Sequence, residues 1–340
     1  MLDKRYYQQR YCFRLALFAT LLAFCVVVLG AYTRLTDSGL GCPDWPGCYG
    51  QWIPKDFKQT TQVMDATKAW TEMTHRYLAG LLGMIIFALG ILALRNRRFP
   101  EQPVALPLSL VALVVFQAFL GMWTVTLKLF PLVVMAHLLG GLTTLSLLWW
   151  LTLKLGPSKK EVEISGLRNL RIWAILGLIV LVIQLFLGGW TSANYAALVC
   201  LDFPFCKDIS ISSLTFVQAF NLISAGIAGS LGVPLDHNAR VLIHMVHRVG
   251  ALFTALVIGW LAFQVFARAK CVAIRGLSVA IAALLTIQIL LGVTNVLALL
   301  PLSVAIAHNA VAALLLLALV TLNYYLHSHP RRSTQSYGSK

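Results

Sequence analysis

Charge is what this chain has least of. Of its 340 residues, 11% are charged and only 12 are Asp or Glu, whereas 59% are hydrophobic. Soluble domains carry roughly 25% charged residues. A soluble globular fold is therefore excluded, and the chain reads as an integral membrane protein. Acidic residues are so few that the net charge is +15, but this does not signal nucleic acid. The cations lie in short loops between apolar runs, which is a topology signal. Two further features are missing. There is no Cys-x-x-Cys-His, which excludes a c-type haem attachment site. There is no long Arg/Ser-rich leader, and the apolar run after the basic N-terminus has no small-residue cleavage site. The first run is expected to be a retained span in a bacterial cell (inner) membrane.

Crossing the hydrocarbon core takes about 20 apolar residues. Eight segments qualify: roughly 14–34, 72–94, 104–126, 131–153, 171–191, 240–265, 276–298 and 302–326. Pro131 and Pro301 mark tight turns before the fourth and eighth, since proline suits a first helical turn. One side of the membrane collects 18 Lys and Arg, among them Lys4, Arg5, Arg95, Arg97, Lys154, Arg168, Arg268 and Arg331. The other side has six: Arg34, Lys55, Lys58, Lys68, Lys128 and Lys207. Both termini are expected in the cytoplasm, and the long loops at about 35–70 and 192–239 outside.

Three of the seven cysteines, Cys12, Cys25 and Cys271, read as ordinary thiols. The other four pair off in the outward loops, Cys42 with Cys48 and Cys200 with Cys206. An outward loop meets an oxidising compartment, so each pair is expected as a disulfide. Zinc sites usually space cysteines by two to four residues, and here five intervene. An exposed disulfide can also exchange, which leaves a redox role open.

The text around these pairs repeats. Residues 42–48 and 200–206 both fit Cys-x-Asp-aromatic-Pro-x-Cys, displaced by 158, and Gly30 and Thr33 match Gly188 and Thr191 at the same offset. His75-Arg76 matches His247-Arg248 at 172, and Gln117, Gly121 and His137 match Gln288, Gly292 and His308 at 171. The offset grows in the second outer loop. The extra Leu-, Ile-, Phe- and Ala-rich text around Ile209 to Val233 suits a short helix on the membrane surface. The fold expected is all-α: eight transmembrane helices as two tandem four-helix bundles, residues 1–160 and 161–340, related by a pseudo-twofold along the membrane normal.

Within the repeat, His75 is followed by His137 after 62 residues, and His247 by His308 after 61. A lone membrane histidine usually makes an inter-helical hydrogen bond. Four in a repeated register point instead to ligands, because polar groups inside a bilayer are costly. Two imidazoles from two helices are what a six-coordinate haem iron needs. His75 and His247 are expected near the outer ends of their helices, with His137 and His308 about two turns in. Arg76 and Arg248 follow two of the ligands and are candidates for haem propionates; snorkelling to headgroups is the plain alternative.

The halves differ at one chemically important place. Glu72 stands three residues before His75, and His244 stands three before His247. An i, i+3 spacing shares a helix face, so Glu72 is expected beside the His75 pocket. A carboxylate there suits proton transfer; an interfacial Glu favoured by the helix dipole is the alternative. The asymmetry argues for a reactive N-terminal site and an auxiliary C-terminal haem.

Glu72-x-x-His75-Arg76, His137, His247-Arg248 and His308, on eight spans with two outward cysteine pairs, resemble the haem A synthase family over about residues 14–326. The resemblance implies oxidation of the C8 methyl of haem O to a formyl group, giving haem A for terminal oxidases. It implies substrate haem between His75 and His137, Glu72 as the catalytic carboxylate, and a haem b cofactor between His247 and His308. Cys42 and Cys48 fall at a functional pair of the family, and Cys200 and Cys206 at a structural one. Haem O synthase is the implied donor; an electron acceptor, membrane lipid and a second copy of the chain are the other expected partners. A quinol-linked di-haem electron-transfer cytochrome also explains four histidines, but needs no carboxylate beside one pair and normally sets its haems on opposite membrane sides.

Overall fold

The computed structural model describes residues 2–54, 65–99, 102–156, 165–206, 212–221 and 235–327. Eight long apolar helices dominate it: α1 (Leu2–Leu35), α2 (Ala66–Arg95), α3 (Ala105–Thr126), α4 (Pro131–Leu155), α5 (Arg171–Ala193), α7 (His237–Arg268), α8 (Val272–Leu297) and α9 (Leu302–His327). A short helix, α6 (Ser213–Phe220), lies in the second long loop, and a 3-10 turn (Ser165–Leu170) leads into α5. No strand occurs among the described residues. Helices suit lipid because each satisfies its own backbone hydrogen bonds. Large apolar side chains such as Phe18, Met84, Ile183, Leu256 and Leu290 are exposed on the outer faces, where lipid would cover them. Eight helices are long and apolar enough to cross a membrane, as expected.

Several helices start earlier than the apolar pattern suggested. α2 begins at Ala66, not near residue 72, because Asp65 caps it by accepting from the N–H groups of Thr67 (3.0 Å) and Lys68 (3.2 Å). Asp236 caps α7 in the same way through Asn238 (3.0 Å). These polar first turns are invisible to a hydropathy window. At a rise of about 1.5 Å per residue, His75 and His247 therefore lie about 14 and 15 Å below their helix starts, deeper than the sequence suggested. His137 and His308 lie about 9 Å in. Pro131 is the first residue of α4, and Pro301 directly precedes α9. Within that insertion the described residues hold one short helix, α6, capped by Ser212; residues 207–211 and 222–234 lie outside the described residues.

In the first half, α1 packs on α2 and α4, and α3 packs on the same two, while α2 and α4 make no packing contact with each other. The four helices form a ring with α2 and α4 on one diagonal. The second half repeats this, with α5, α7, α8 and α9 in a ring and α7 and α9 diagonal. The halves meet through α1 on α9, α4 on α5, and α4 on α9. Exchanging α1 with α5 and α4 with α9 maps this interface onto itself, consistent with a pseudo-twofold. Matched residues touch across it: Arg34 Nη2 donates to the Ser192 carbonyl (2.6 Å), Tyr195 Oη to Asp37 (3.2 Å), and Tyr324 Oη to the Leu153 carbonyl (3.2 Å). Fully buried Ala16 and Ala19 with nearly buried Ala23 give α1 a small-residue face for close packing. Thr20 and Thr152 hydroxyls meet between α1 and α4 (3.1 Å), and Asn323 Nδ2 donates to the Ala174 carbonyl (2.9 Å), tying α9 to α5.

The four helices that run toward the disulfide loops end alike. In each, the N–H three residues past the helix end returns to a carbonyl in the last turn: Ser38 to Thr33, Leu129 to Thr124, Ala196 to Thr191, and Leu300 to Asn295 (2.7–2.9 Å). The turn carries a left-handed residue, Asp37, Lys128, Tyr195 or Leu299. This is the Schellman arrangement, built here without glycine. The chain is thus a hairpin of two helices used four times.

Candidate functional site

Each hairpin brings one glycine of its first helix against one histidine of its second. A Cβ on Gly30 would lie 3.1 Å from His75 Cε1; on Gly121, 3.4 Å from His137 Cε1; on Gly188, 3.0 Å from His247 Cε1; on Gly292, 3.2 Å from His308 Cε1. Every one of these glycines stands five residues before its helix end. The absent side chain lets the imidazole rest on the neighbouring backbone. The sequence carried this signal in matched Gly30/Gly188 and Gly121/Gly292; its fourfold form emerges only when the hairpins are superposed.

His75 on α2 and His137 on α4 come from the diagonal helices of the first ring, and His247 on α7 and His308 on α9 from those of the second. All four histidines are half-buried. The Nδ1 atoms of His75, His137 and His308 are buried without a hydrogen-bond partner. Such orphans in an apolar bundle call for a ligand or ion that orders the ring. Among the described residues no three His, Cys, Asp or Glu side chains converge on a metal-sized point. Paired imidazoles across a diagonal fit a group that brings its own equatorial ligands and asks the protein for two axial ones, as haem does.

Above each pair sits a disulfide loop. Cys42–Cys48 and Cys200–Cys206 are both bonded, with Cα separations of 4.9 and 5.7 Å, as expected. The arginine after each first histidine holds the loop. Arg76 Nη1 donates to the carbonyls of Asp44 (3.0 Å), Pro46 (3.3 Å) and Gly47. Arg248 donates to Cys200 (2.8 Å), Asp202 (2.6 Å) and Pro204 (3.1 Å). Asp44 and Pro46 match Asp202 and Pro204, so the repeat preserves the clamp. A guanidinium fork suits several carbonyls better than an ammonium. This role had no sequence signal beyond the position of the arginines.

Glu72 and His244 occupy the same place beneath the two loops, 4% and 5% exposed. Glu72 Oε2 accepts from the Cys42 N–H (2.9 Å), and Oε1 accepts from Arg76 Nη2. His244 Nε2 accepts from Arg248 Nε (3.3 Å). The carboxylate thus belongs to the loop as well as to the helix face it shares with His75. Gly41 makes this approach feasible: a Cβ there would stand 2.6–2.8 Å from the backbone of Lys68 and Ala69. Asp44 is committed elsewhere, accepting from the N–H groups of Tyr49 (2.6 Å) and Gly50 (2.8 Å). An open groove of about 400 Å³, lined by Leu29, Ala66, Thr67, Trp70, Thr71 and Thr74, runs along the α1–α2 flank among the sequence neighbours of Gly30, Glu72 and His75.

Eight apolar helices in two rings, each with a diagonal histidine pair and an arginine-clamped disulfide loop, define a multi-pass membrane protein. Comparison with known proteins identifies the family. Residues 13–320 match COX15-CtaA, described as cytochrome oxidase assembly protein, and the chain belongs to that family. A protein of Shewanella oneidensis named Heme A synthase is 43% identical over 94% of this chain and 97% of its own length. Proteins of the same name from Rhizorhabdus wittichii and Flavobacterium johnsoniae are 26% and 27% identical, over 89% and 90% of this chain and 90% and 94% of theirs.

Proposed function

We propose that this chain is a haem A synthase, converting the C8 methyl of haem O into the formyl group of haem A. The observation that carries the reading is the broken symmetry beneath the loops: two matched histidine pairs, but a carboxylate, Glu72, beside only one. A di-haem cytochrome has no use for that difference.

In this reading His75 and His137 hold the substrate haem and His247 and His308 hold a haem b. That haem supplies one-electron redox chemistry when bound. With water as the oxygen donor and the membrane acceptor as oxidant, converting a methyl into a formyl releases four electrons and four protons, so protons must leave the N-terminal site. Glu72 is the group suited to take them at Oε1 or Oε2, exchanging its bonds to Arg76 and Cys42 as it does so. Arg76, which binds both Glu72 and the loop carbonyls, links the carboxylate to the Cys42–Cys48 cover and shields the site from bulk water. Arg76 and Arg248 remain the cations closest in sequence to the ligands and are the candidates for haem propionates. The Cys42–Cys48 pair, in contact with Glu72 through its own N–H, is the pair assigned a working role, and Cys200–Cys206 the structural one. The chain sits in the bacterial inner membrane with both termini cytoplasmic, receives haem O from a haem O synthase, and passes electrons to a membrane acceptor.

The test is pigment analysis of membranes co-expressing the chain with a haem O source. Haem A is expected with the wild type and not with Glu72→Gln, which keeps the side chain's shape. If only haem b and haem O are extracted from wild-type membranes, the chain is an electron-transfer cytochrome and the proposal fails.

A further inference from the structure

The offset of 172 that maps His75 onto His247 also maps the α2 wall of the open groove onto α7. Thr67, Trp70, Thr71 and Thr74 correspond to Ala239, Leu242, Ile243 and Val246. The two walls differ in what covers them. Thr67, Trp70 and Thr74 are exposed, whereas Ala239 and Ile243 are fully buried and Leu242 is 6% exposed. The cover in the second half is α6, which packs on α7. Its Ala219 shares one apolar cluster with Ala239, Leu242, Ile243 and Trp190, and Phe220 and Val246 pack against that cluster. The Ala219 carbonyl accepts from Trp190 Nε1 (2.9 Å), which ties α6 to α5 as well. α6 belongs to the text by which the second outer loop exceeds the first. The groove in the first half is lined from α1 and α2 alone. The text leading into α2 carries Lys55, Asp56 and Lys58, whereas residues 209–234 carry no charge.

Resting on the reading above, we propose that the α1–α2 groove receives the isoprenoid chain of the substrate haem, and that α6 fills the counterpart groove so that the second half takes a haem without such a chain. Haem O differs from haem b in one substituent, a hydroxylated farnesyl chain in place of a vinyl group. A site that selects haem O therefore needs an apolar slot that opens beside the histidine pair. The groove is continuous with that place. Leu29 precedes Gly30, on which the His75 ring rests. Thr71 and His75 are i, i+4 neighbours on the surface of α2. Its volume of about 400 Å³ falls in the range of small-molecule sites. Leu29, Ala66 and Trp70 supply apolar walls, and three threonines add hydroxyls. Thr74 Oγ1 already donates to the Trp70 carbonyl (2.7 Å), and its oxygen can still accept from the chain's own hydroxyl. Lipid is as apolar as the chain, so the selectivity comes from packing and this hydroxyl rather than from the hydrophobic effect. In the second half Ala219 and Phe220 stand where the chain would lie.

The experiment is a pair of anaerobic absorbance titrations of the purified full-length protein, its C-terminal site already filled with haem b and no electron acceptor present. One uses haem O and the other haem b, and both read binding at the His75–His137 site. Wild type is expected to bind haem O about fivefold or more tightly than haem b, the worth of one hydroxyl hydrogen bond in a membrane. Thr67→Trp combined with Thr74→Trp fills the groove from two exposed positions. It should lower the affinity for haem O to that for haem b and leave the affinity for haem b unchanged, which also shows that the variant is folded. Thr74→Val, which keeps the shape and loses the hydroxyl, should reduce the preference in part. Equal wild-type affinities for the two haems, in a protein that still makes haem A, overturn the inference alone. So does a preference for haem O that survives the double tryptophan substitution, as it would if lipid or the loop before α2 occupied the groove. A wild-type protein that binds neither haem at the His75–His137 site overturns the functional reading and the inference together.

Discussion

Replacing Gly188 by alanine tests the glycine–histidine contact most directly. The added Cβ would stand 3.0 Å from His247 Cε1, against an ordinary carbon–carbon separation of about 3.5–4.0 Å. The ring must retreat by about 0.5–1 Å, since the Cβ is fixed to the α5 backbone. Functional constellations tolerate displacements of only about 0.5 Å, so His247 should lose its ligating position. Retreat is opposed by Gln184, which holds the ring at Nδ1. The expected result is loss of the C-terminal haem, with an affinity at least about tenfold lower, a cost comparable to deleting a ligand's supporting partner. The assay is the low-spin haem absorbance per mole of purified protein, titrated with added haem. Gly80→Ala is the control, because nothing lies within 4 Å of a Cβ there. Normal haem content and an unshifted spectrum in Gly188→Ala would refute the argument that these glycines set the ligand geometry.

Gly41→Ala should lift the first disulfide loop off α2, since the new Cβ would collide with backbone atoms of Lys68 and Ala69 that cannot yield. Haem A yield should fall toward that of Glu72→Gln while the C-terminal haem spectrum stays normal; full haem A production would contradict the link between loop and carboxylate. Arg248→Met removes the donor to three loop carbonyls. With hydrogen bonds to a charged group contributing about 1.5–3 kcal/mol each net of solvent when buried, and less here because two of the three are exposed, the Cys200–Cys206 loop should become several-fold more susceptible to reduction and thiol labelling. Labelling at the wild-type rate would show that the clamp is dispensable.

Much was legible in the sequence because the membrane simplifies the problem. Lipid demands long apolar helices, so eight spans, their number and the tandem repeat could be read from composition and spacing alone. Rare residues in repeated register, His75, His137, His247 and His308 with Glu72 set against His244, marked the candidate site for the same reason: nothing polar stays in such helices without cause. Chemistry local to one turn was also legible, as with Pro131 at a helix start.

What escaped the sequence depends on atoms brought together from distant positions. The diagonal placement of α2 and α4, and of α7 and α9, follows from how helices ring a bundle, which no single span encodes. Arg76 and Arg248 were visible as cations, but their binding to loop carbonyls depends on the Cys42–Cys48 and Cys200–Cys206 loops folding down over the helix ends. Glu72 was placed on a helix face by its spacing; only packing brought the Cys42 N–H onto it, through the bare Cα of Gly41. The contact of Gln184 with His247 across Gly250 joins residues on two helices, each unremarkable alone. The sequence by itself thus determined the number of spans, the repeat and the residue types at the candidate site. Tertiary structure decided which groups those residues touch, because hydrogen bonds and glycine contacts act over about 3 Å and are fixed only when the helices pack.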